Sequence, residues 1–218
     1  MRVLRVARSS ARRSRTQAIN QMRSLVSTAP EELRAELRDL SIYKVLTVAS
    51  AYRHTGRTDV TTVTKLTLRT LARRALSLEE EVKEIDRLLK TLVAETAPEL
   101  NAIDGVGTDV ASAILVAAGD NPERLKSEST FAKLCGVSPL DASSGKHERH
   151  RLNRGGDRQA NSALWHIVFT RMVCDPKTKY YIERRMKEGR TKKEAIRCLK
   201  RYVARELFRL LENEPSRT

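Results

Sequence analysis

The amino-acid sequence predicts an all-α protein, and three observations lead to this fold class. Apolar residues recur every three or four positions along most of the 218-residue chain, which is the spacing of one helix face. Breaks that contain Gly or Pro separate these periodic stretches from one another. No stretch shows a convincing alternation of apolar and polar residues, so no β-strand is predicted.

The chain begins with a basic stretch. Residues 1–23 include seven arginines and no acidic residue, and apolar side chains recur there at helical spacing. We interpret this stretch as an amphipathic helix that faces nucleic acid. An arginine-rich, acid-free composition also suits a mitochondrial presequence. We disfavour that alternative because the stretch runs into further helical sequence without a cleavage-like break.

A long helix with a regular apolar seam follows, and Pro98 ends it. The seam alternates spacings of three and four over Leu68, Leu71, Ala75, Leu78, Val82, Ile85, Leu89 and Leu92. Such a seam predicts a coiled coil, either as an antiparallel hairpin or between chains of a homo-oligomer. The alternative is one long amphipathic helix packed on its own domain. We place the domain boundary here, with an arm at 1–97 and a compact helical domain at 98–218.

A glycine turn, Gly105-Val106-Gly107, lies between a short helix and an alanine-rich helix. It resembles a helix-hairpin-helix element, whose turn exposes backbone N–H groups at a helix N-terminus. These groups suit a DNA phosphate, so all three residues are candidate DNA contacts. A purely structural turn between two packed helices accounts for the same residues.

Several further helices are predicted in the C-terminal part, and two of them show clear signals. Apolar spacing predicts one helix over 159–173, and Thr191 with Glu194 forms a capping box for the last helix. On that last helix we expect four basic residues to face outward: Lys200, Arg201, Arg205 and Arg209.

The formal charge of +15 and the isoelectric point near 10.2 favour a polyanionic partner, DNA first. No apolar run is long enough to span a bilayer, so no membrane partner is predicted. The three cysteines are widely spaced and form no CxxC pair, so neither a disulfide framework nor a zinc site is predicted. A cytoplasmic location is the natural expectation.

The stretch from Gly136 to Asn161 is the least helical, and it combines serine, glycine and basic residues. Ser143 and Ser144 are the candidate nucleophiles, and His147 or His150 could accept a proton from them. The basic residues match phosphate oxygens and could stabilise a pentacovalent phosphate: Lys146, Arg149, Arg151, Arg154 and Arg158. Composition alone favours a DNA-binding loop in which a serine only donates hydrogen bonds and the histidines contact phosphate or lie in solvent.

Three segments together carry a resemblance to a known family. They read IDGVGTDVASAILVAAGD, FAKLCGVSPLDASSGKHERHRLNRGGDRQANSALWHIV and DPKTKYYIERRMKEGRTKKEAIRCLKRYVAREL. Over Leu100 to Leu211 the chain resembles the C-terminal half of the bridge-RNA-guided insertion-sequence 110 family transposases, relatives of the Piv-type DNA invertases.

The resemblance implies a DNA recombinase whose serine attacks a DNA phosphate and holds the strand as a phosphoserine. It also implies a structured guide RNA as a second partner. The family's serine lies in a serine-glycine-lysine segment, which matches Ser143-Ser144-Gly145-Lys146. Spacing from Lys146 favours Ser143, and adjacency to glycine favours Ser144.

The resemblance further implies a RuvC-like N-terminal domain with four metal-binding acids, and this chain starts where that domain would end. No Asp or Glu precedes Thr28. We therefore expect a truncated transposase, incomplete for catalysis on its own, that binds no cofactor. The family's divalent metal, Mg, would belong to the missing domain. The alternative functions are a non-catalytic basic module that binds DNA or RNA and, more weakly, a coiled-coil assembly protein.

Overall fold

The computed structural model describes residues 1–53, 56, 58–119, 125–141, 150–151, 153 and 155–213. Helices dominate these residues, so the predicted all-α fold is confirmed. The α-helices are α1 (Arg2–Ser27), α2 (Glu31–Leu37), α3 (Ile42–Ser50), α4 (Val60–Thr96), α5 (Thr108–Ala118), α6 (Glu128–Leu134), α7 (Arg158–Cys174), α8 (Pro176–Lys187) and α9 (Lys192–Asn213). None of the helices in these ranges is both long and apolar enough to cross a membrane.

Two small elements interrupt the helices. A 3-10 helix spans Pro98–Ala102, and two short strands, β1 (Leu140–Asp141) and β2 (His150–Arg151), pair antiparallel. Leu140 lies opposite Arg151, and Asp141 lies opposite His150. The sequence did not predict this pair, because two residues are too few to show an alternating pattern.

The chain forms two compact units. The N-terminal unit comprises Arg2–Leu88, and the C-terminal unit comprises Met1 with Leu89–Thr218. The division falls within α4, whereas the predicted assignment of domains at 1–97 and 98–218 stays a prediction.

The N-terminal unit is built on apolar faces of α1 to α4. The predicted basic helix is confirmed as α1, which ends at Ser27. Its small and apolar residues enter the core while several of its arginines remain exposed. Fully or almost fully buried members of this core are Ala18, Met22, Leu33, Leu37, Leu46, Leu68, Ala72 and Ala75. Contact between the basic face of α1 and nucleic acid stays a prediction.

Two ion pairs show that α1 and α4 run antiparallel in this unit. Arg8 Nε lies 2.5 Å from Asp86 Oδ1, and Arg15 Nη2 lies 3.0 Å from Glu79 Oε2. A step of seven residues forward on α1 is matched by a step of seven back on α4. The face of α4 toward α1 therefore includes Glu79, which is not one of the apolar seam residues predicted from the sequence.

The C-terminal unit is organised around α7, which packs on α5, α8 and α9. Its buried residues Leu164 and Ile167 share one core with Phe131 of α6 and Leu207 of α9. The predicted capping box at the start of α9 is confirmed, because Thr191 N donates to the Glu194 carboxylate at 2.8 Å. In return, Glu194 N donates to the Thr191 hydroxyl at 3.3 Å.

Reversing the charge of Arg15 tests the pairing of α1 with α4. Arg15→Glu places two carboxylates together at Glu79, so we expect the free energy of unfolding to fall by roughly 1–2 kcal/mol. Adding Glu79→Arg should recover most of that loss in chemical denaturation. The control Arg12→Glu makes the same charge change at an exposed position of α1. A double variant as unstable as the sum of its single changes would contradict the pairing.

Candidate functional site

Two glycines lie in close contact at the base of the stretch from Gly136 to Asn161, which we call the serine segment. Gly136 follows α6 and Gly156 precedes α7, and both have left-handed backbones, with φ of +62° and +88°. A Cβ atom on Gly136 would lie 2.4 Å from the Gly155 carbonyl oxygen. A Cβ on Gly156 would lie 2.6 Å from both Gly136 N and the Leu134 carbonyl oxygen. The two backbones therefore approach to a distance that only glycine permits.

Hydrogen bonds reinforce this approach. Asp157 N donates to the Leu134 carbonyl at 2.6 Å. The Asn161 amide, in the first turns of α7, donates to the carbonyls of Cys135 at 2.8 Å and Gly136 at 3.1 Å. The chain that leaves α6 and the chain that enters α7 are thus tied to each other.

Lys200 connects Asn161 to α9. Its Nζ donates to Asn161 Oδ1 at 2.5 Å, and only 7% of the residue is exposed. The prediction that Lys200 faces outward is wrong, because the Asn161 oxygen offers the buried ammonium an acceptor. Burial lowers the pKa of Lys200 below its ordinary value. We call Gly136, Gly156, Asn161 and Lys200 the loop clamp.

Neighbouring groups of the loop clamp have structural roles. The Asp157 carboxylate caps α7 by accepting from Gln159 N at 2.7 Å and Ala160 N at 2.8 Å. Burial raises the pKa of the Cys135 thiol to about 12. Cys135 therefore stays protonated at neutral pH and is not a candidate nucleophile.

Most of the residues of the serine segment that were predicted to act in chemistry lie outside the described residues. This holds for Ser143 and Ser144, for the histidine base candidate His147, and for the basic residues Lys146, Arg149 and Arg154. Arg151 forms part of β2, and Arg158 is the exposed first residue of α7. The roles of all these residues stay predictions.

The predicted glycine turn rests on α7. Gly105 has φ of +86°, and a Cβ there would lie 3.2 Å from the Ile167 carbonyl oxygen. Val106 is buried, whereas Gly107 has open space around it and precedes α5. Packing thus accounts for Gly105 and Val106, as predicted for a purely structural turn between two packed helices. Contact of the turn with DNA stays a prediction.

A basic cavity of about 430 Å³ lies beside the loop clamp. One side is formed by residues 136–139 and Asn153, at the base of the serine segment. The cations that line the cavity are Arg185, Arg190, Arg197, Lys200, Arg201 and Arg205. The sequence did not predict this cavity. It does show that Arg197, Arg201 and Arg205 recur every four residues and so share one face of α9.

Acidic residues orient part of this cationic surface. Glu128, at the start of α6, lies 2.6 Å from Arg201 Nη2 and 2.8 Å from Arg205 Nε. Although desolvation opposes ionisation, the two guanidinium groups hold the pKa of Glu128 below its ordinary value. Glu194 is the acidic residue among those that line the cavity. Cations therefore outnumber carboxylates around it, and the cavity suits an anionic ligand.

Across the described ranges, no group of three or more His, Cys, Asp or Glu side chains could hold a metal ion.

Around this site the chain is similar to transposase sequences. Residues 97–183 match the model of the family described as "Transposase IS116/IS110/IS902 family". The chain is also 29% identical over 147 residues to "Insertion element IS110 uncharacterized 43.6 kDa protein" of Streptomyces coelicolor. That similarity covers 66% of this chain and 36% of the relative. The family match includes the loop clamp except Lys200, and it ends before the cavity-lining residues Arg185 to Arg205.

A double-mutant cycle tests the loop clamp. Asn161→Ala removes three hydrogen bonds, so we expect the free energy of unfolding to fall by roughly 2–4 kcal/mol. Lys200→Met should be less costly in the Asn161→Ala background than in the wild type, since the ammonium has then already lost its acceptor. Urea denaturation gives both values, and the exposed neighbour Ser162→Ala serves as control. Strictly additive effects would show that Asn161 and Lys200 act independently.

Proposed function

We propose that the chain acts in DNA transposition, as the part of a recombinase that binds DNA and carries a serine nucleophile. The observation that carries the proposal is the family match over residues 97–183, because it spans the serine segment. Two features of the C-terminal unit support it. The loop clamp holds both ends of that segment, and the basic cavity lies against its base.

In this proposal the hydroxyl of Ser143, or of Ser144, attacks a phosphorus atom of the DNA backbone. A P–O bond forms to the serine oxygen as the P–O bond to one sugar oxygen breaks. The serine proton passes to a base, for which His147 and His150 are the candidates, and this base returns a proton to the sugar oxygen, which leaves as a hydroxyl. Lys146 and the arginines at 149, 151, 154 and 158 would stabilise the charge that develops on the phosphate.

The proposal also includes a DNA contact by the glycine turn, a guide RNA, a divalent metal and self-association. The turn at 105–107 would act as a helix-hairpin-helix contact to DNA, and a structured RNA would guide the choice of site. A divalent metal would be held by a domain other than the described part of this chain. Self-association through α4 would have to use surface that α1 does not cover, because Glu79 and Asp86 of α4 already pair with α1.

A second candidate function is a nucleic-acid-binding module without chemistry. The net charge of +15 and the cationic cavity favour it, since neither requires a reactive serine. The two candidates differ in one product: only the first forms a covalent bond between serine and DNA.

Trapping that bond tests the proposal. The protein is incubated with supercoiled DNA carrying element ends, the element's RNA and Mg²⁺, with and without a separately supplied RuvC-like domain of the family. We expect a DNA adduct that survives detergent and disappears on protease treatment. Ser143→Ala should abolish it and Ser144→Ala should retain it, and the reverse pattern would assign Ser144. Peptide mass spectrometry identifies the modified residue.

If the protein binds DNA but forms no adduct in any of these incubations, the serine is not a nucleophile. The second candidate function, a nucleic-acid-binding module, would then stand. Binding is measured over a range of salt concentrations. We expect the logarithm of the affinity to fall steeply with the logarithm of the salt concentration, because phosphate contacts release counterions. A flat response would contradict both candidate functions.

A further inference from the structure

The basic cavity contains buried donors without an acceptor among the described residues. Within those ranges, Arg185 Nε and Arg201 Nη1 are buried and have no hydrogen-bond partner, and both residues line the cavity. Buried N–H groups of this kind are rare in folded proteins, because an unpaired donor away from water is costly. An anionic ligand in the cavity would supply the missing acceptors.

Lys200 strengthens the case for an anion. It lines the cavity, it is 7% exposed, and its hydrogen bond to Asn161 uses one of three ammonium donors. The nearby carboxylates do not match the cations in number. Glu128 serves two arginines at once, Glu188 pairs with Arg185, and Glu194 lies 3.8 Å from Arg197.

An exposed aromatic ring lies among these cations. Tyr202 lines the cavity and is 51% exposed, although its ring packs edge-on against Tyr181, with centroids 5.9 Å apart. The Arg205 guanidinium lies 6.0 Å from the Tyr202 ring centroid. An aromatic face beside phosphate-binding cations is the usual arrangement for an unpaired nucleotide, whose base stacks while its phosphate is bound.

We propose that this cavity binds one unpaired nucleotide of a nucleic-acid strand. Arg185, Arg197, Lys200 and Arg201 would hold its phosphate, and Tyr202 would stack on its base. The volume of about 430 Å³ falls within the range of small-molecule pockets and exceeds what a lone phosphate needs. A base inside a duplex is stacked on its neighbours and cannot reach Tyr202. This inference rests on the proposed function for its nucleic-acid partner and specifies how a strand is held beside the serine segment.

The test compares the binding of three fluorescent probes by anisotropy: a dT12 strand, a U12 strand and a 12-base-pair DNA duplex. Tyr202→Ala should weaken binding of the single strands by about tenfold, through loss of one stacked base, and leave the duplex nearly unchanged. Tyr202→Phe should retain single-strand affinity, because the stacking face remains. If Tyr202→Ala weakens binding of dT12 and U12 equally, the cavity accepts DNA and RNA strands alike. If it weakens binding of only one of them, the cavity is specific for that type of strand.

Arg197→Gln tests the phosphate contacts without disturbing the more buried cations. We expect the slope of log affinity against log salt for single strands to decrease by about 0.7. Arg209→Gln is the matched control, since it removes the same charge from an exposed position of α9 that does not line the cavity. Melting temperatures of all variants verify folding.

The proposal is overturned if Tyr202→Ala and Arg197→Gln weaken single-strand binding no more than Arg209→Gln. It is also overturned if Tyr202→Ala weakens duplex and single strands equally. The anisotropy assay measures binding alone and requires no reactive serine. If no covalent adduct forms but the Tyr202 and Arg197 variants weaken single-strand binding as expected, only the serine nucleophile is therefore contradicted.

Discussion

The close approach of Gly136 and Gly156 is the constraint on which the C-terminal unit depends. Each glycine has a left-handed backbone; a Cβ on Gly136 would clash with the Gly155 carbonyl oxygen, and a Cβ on Gly156 would clash with Gly136 N. This contact fixes where the chain leaves α6 and where it enters α7, and Asn161 and Lys200 then secure both ends to α9. A segment whose ends are held in this way can present reactive side chains at a defined place, which catalysis by a positioned nucleophile requires.

The loop clamp also explains why the basic cavity lies where it does. Lys200 belongs to both features: its ammonium satisfies Asn161 and lines the cavity. Glu128, at the start of α6, orients Arg201 and Arg205 on the neighbouring turns of α9. A strand bound in the cavity would therefore lie beside the serine segment, and the same few residues would link binding to chemistry.

Much of the fold was predictable because it depends on local pattern. The basic helix α1, the long helix α4 and the capping box of Thr191 with Glu194 follow from spacing and capping chemistry. Features that depend on distant residues were missed or wrong. Lys200 has the polarity of a surface residue, and only its contact with Asn161, 39 positions earlier, explains its burial. Glu79 faces α1 because Arg15 lies opposite, which no periodicity within α4 reveals. The cavity joins α8, α9 and the base of the serine segment, so its lining residues are distant in sequence. The spacing of the arginines on α9 is the one local feature of the sequence that indicates the cavity.

Comparing two glycine substitutions tests the central claim that close backbone approach holds the serine segment. Gly156 and Gly189 have nearly the same backbone, with φ of +88° and +83°, yet a Cβ on Gly189 would meet nothing within 4 Å. Both alanine variants therefore pay a similar conformational cost, of about 1–2 kcal/mol. The account predicts that Gly156→Ala lowers the free energy of unfolding by roughly 1–3 kcal/mol more than Gly189→Ala, through overpacking at the clamp. Equal losses for the two variants would contradict it.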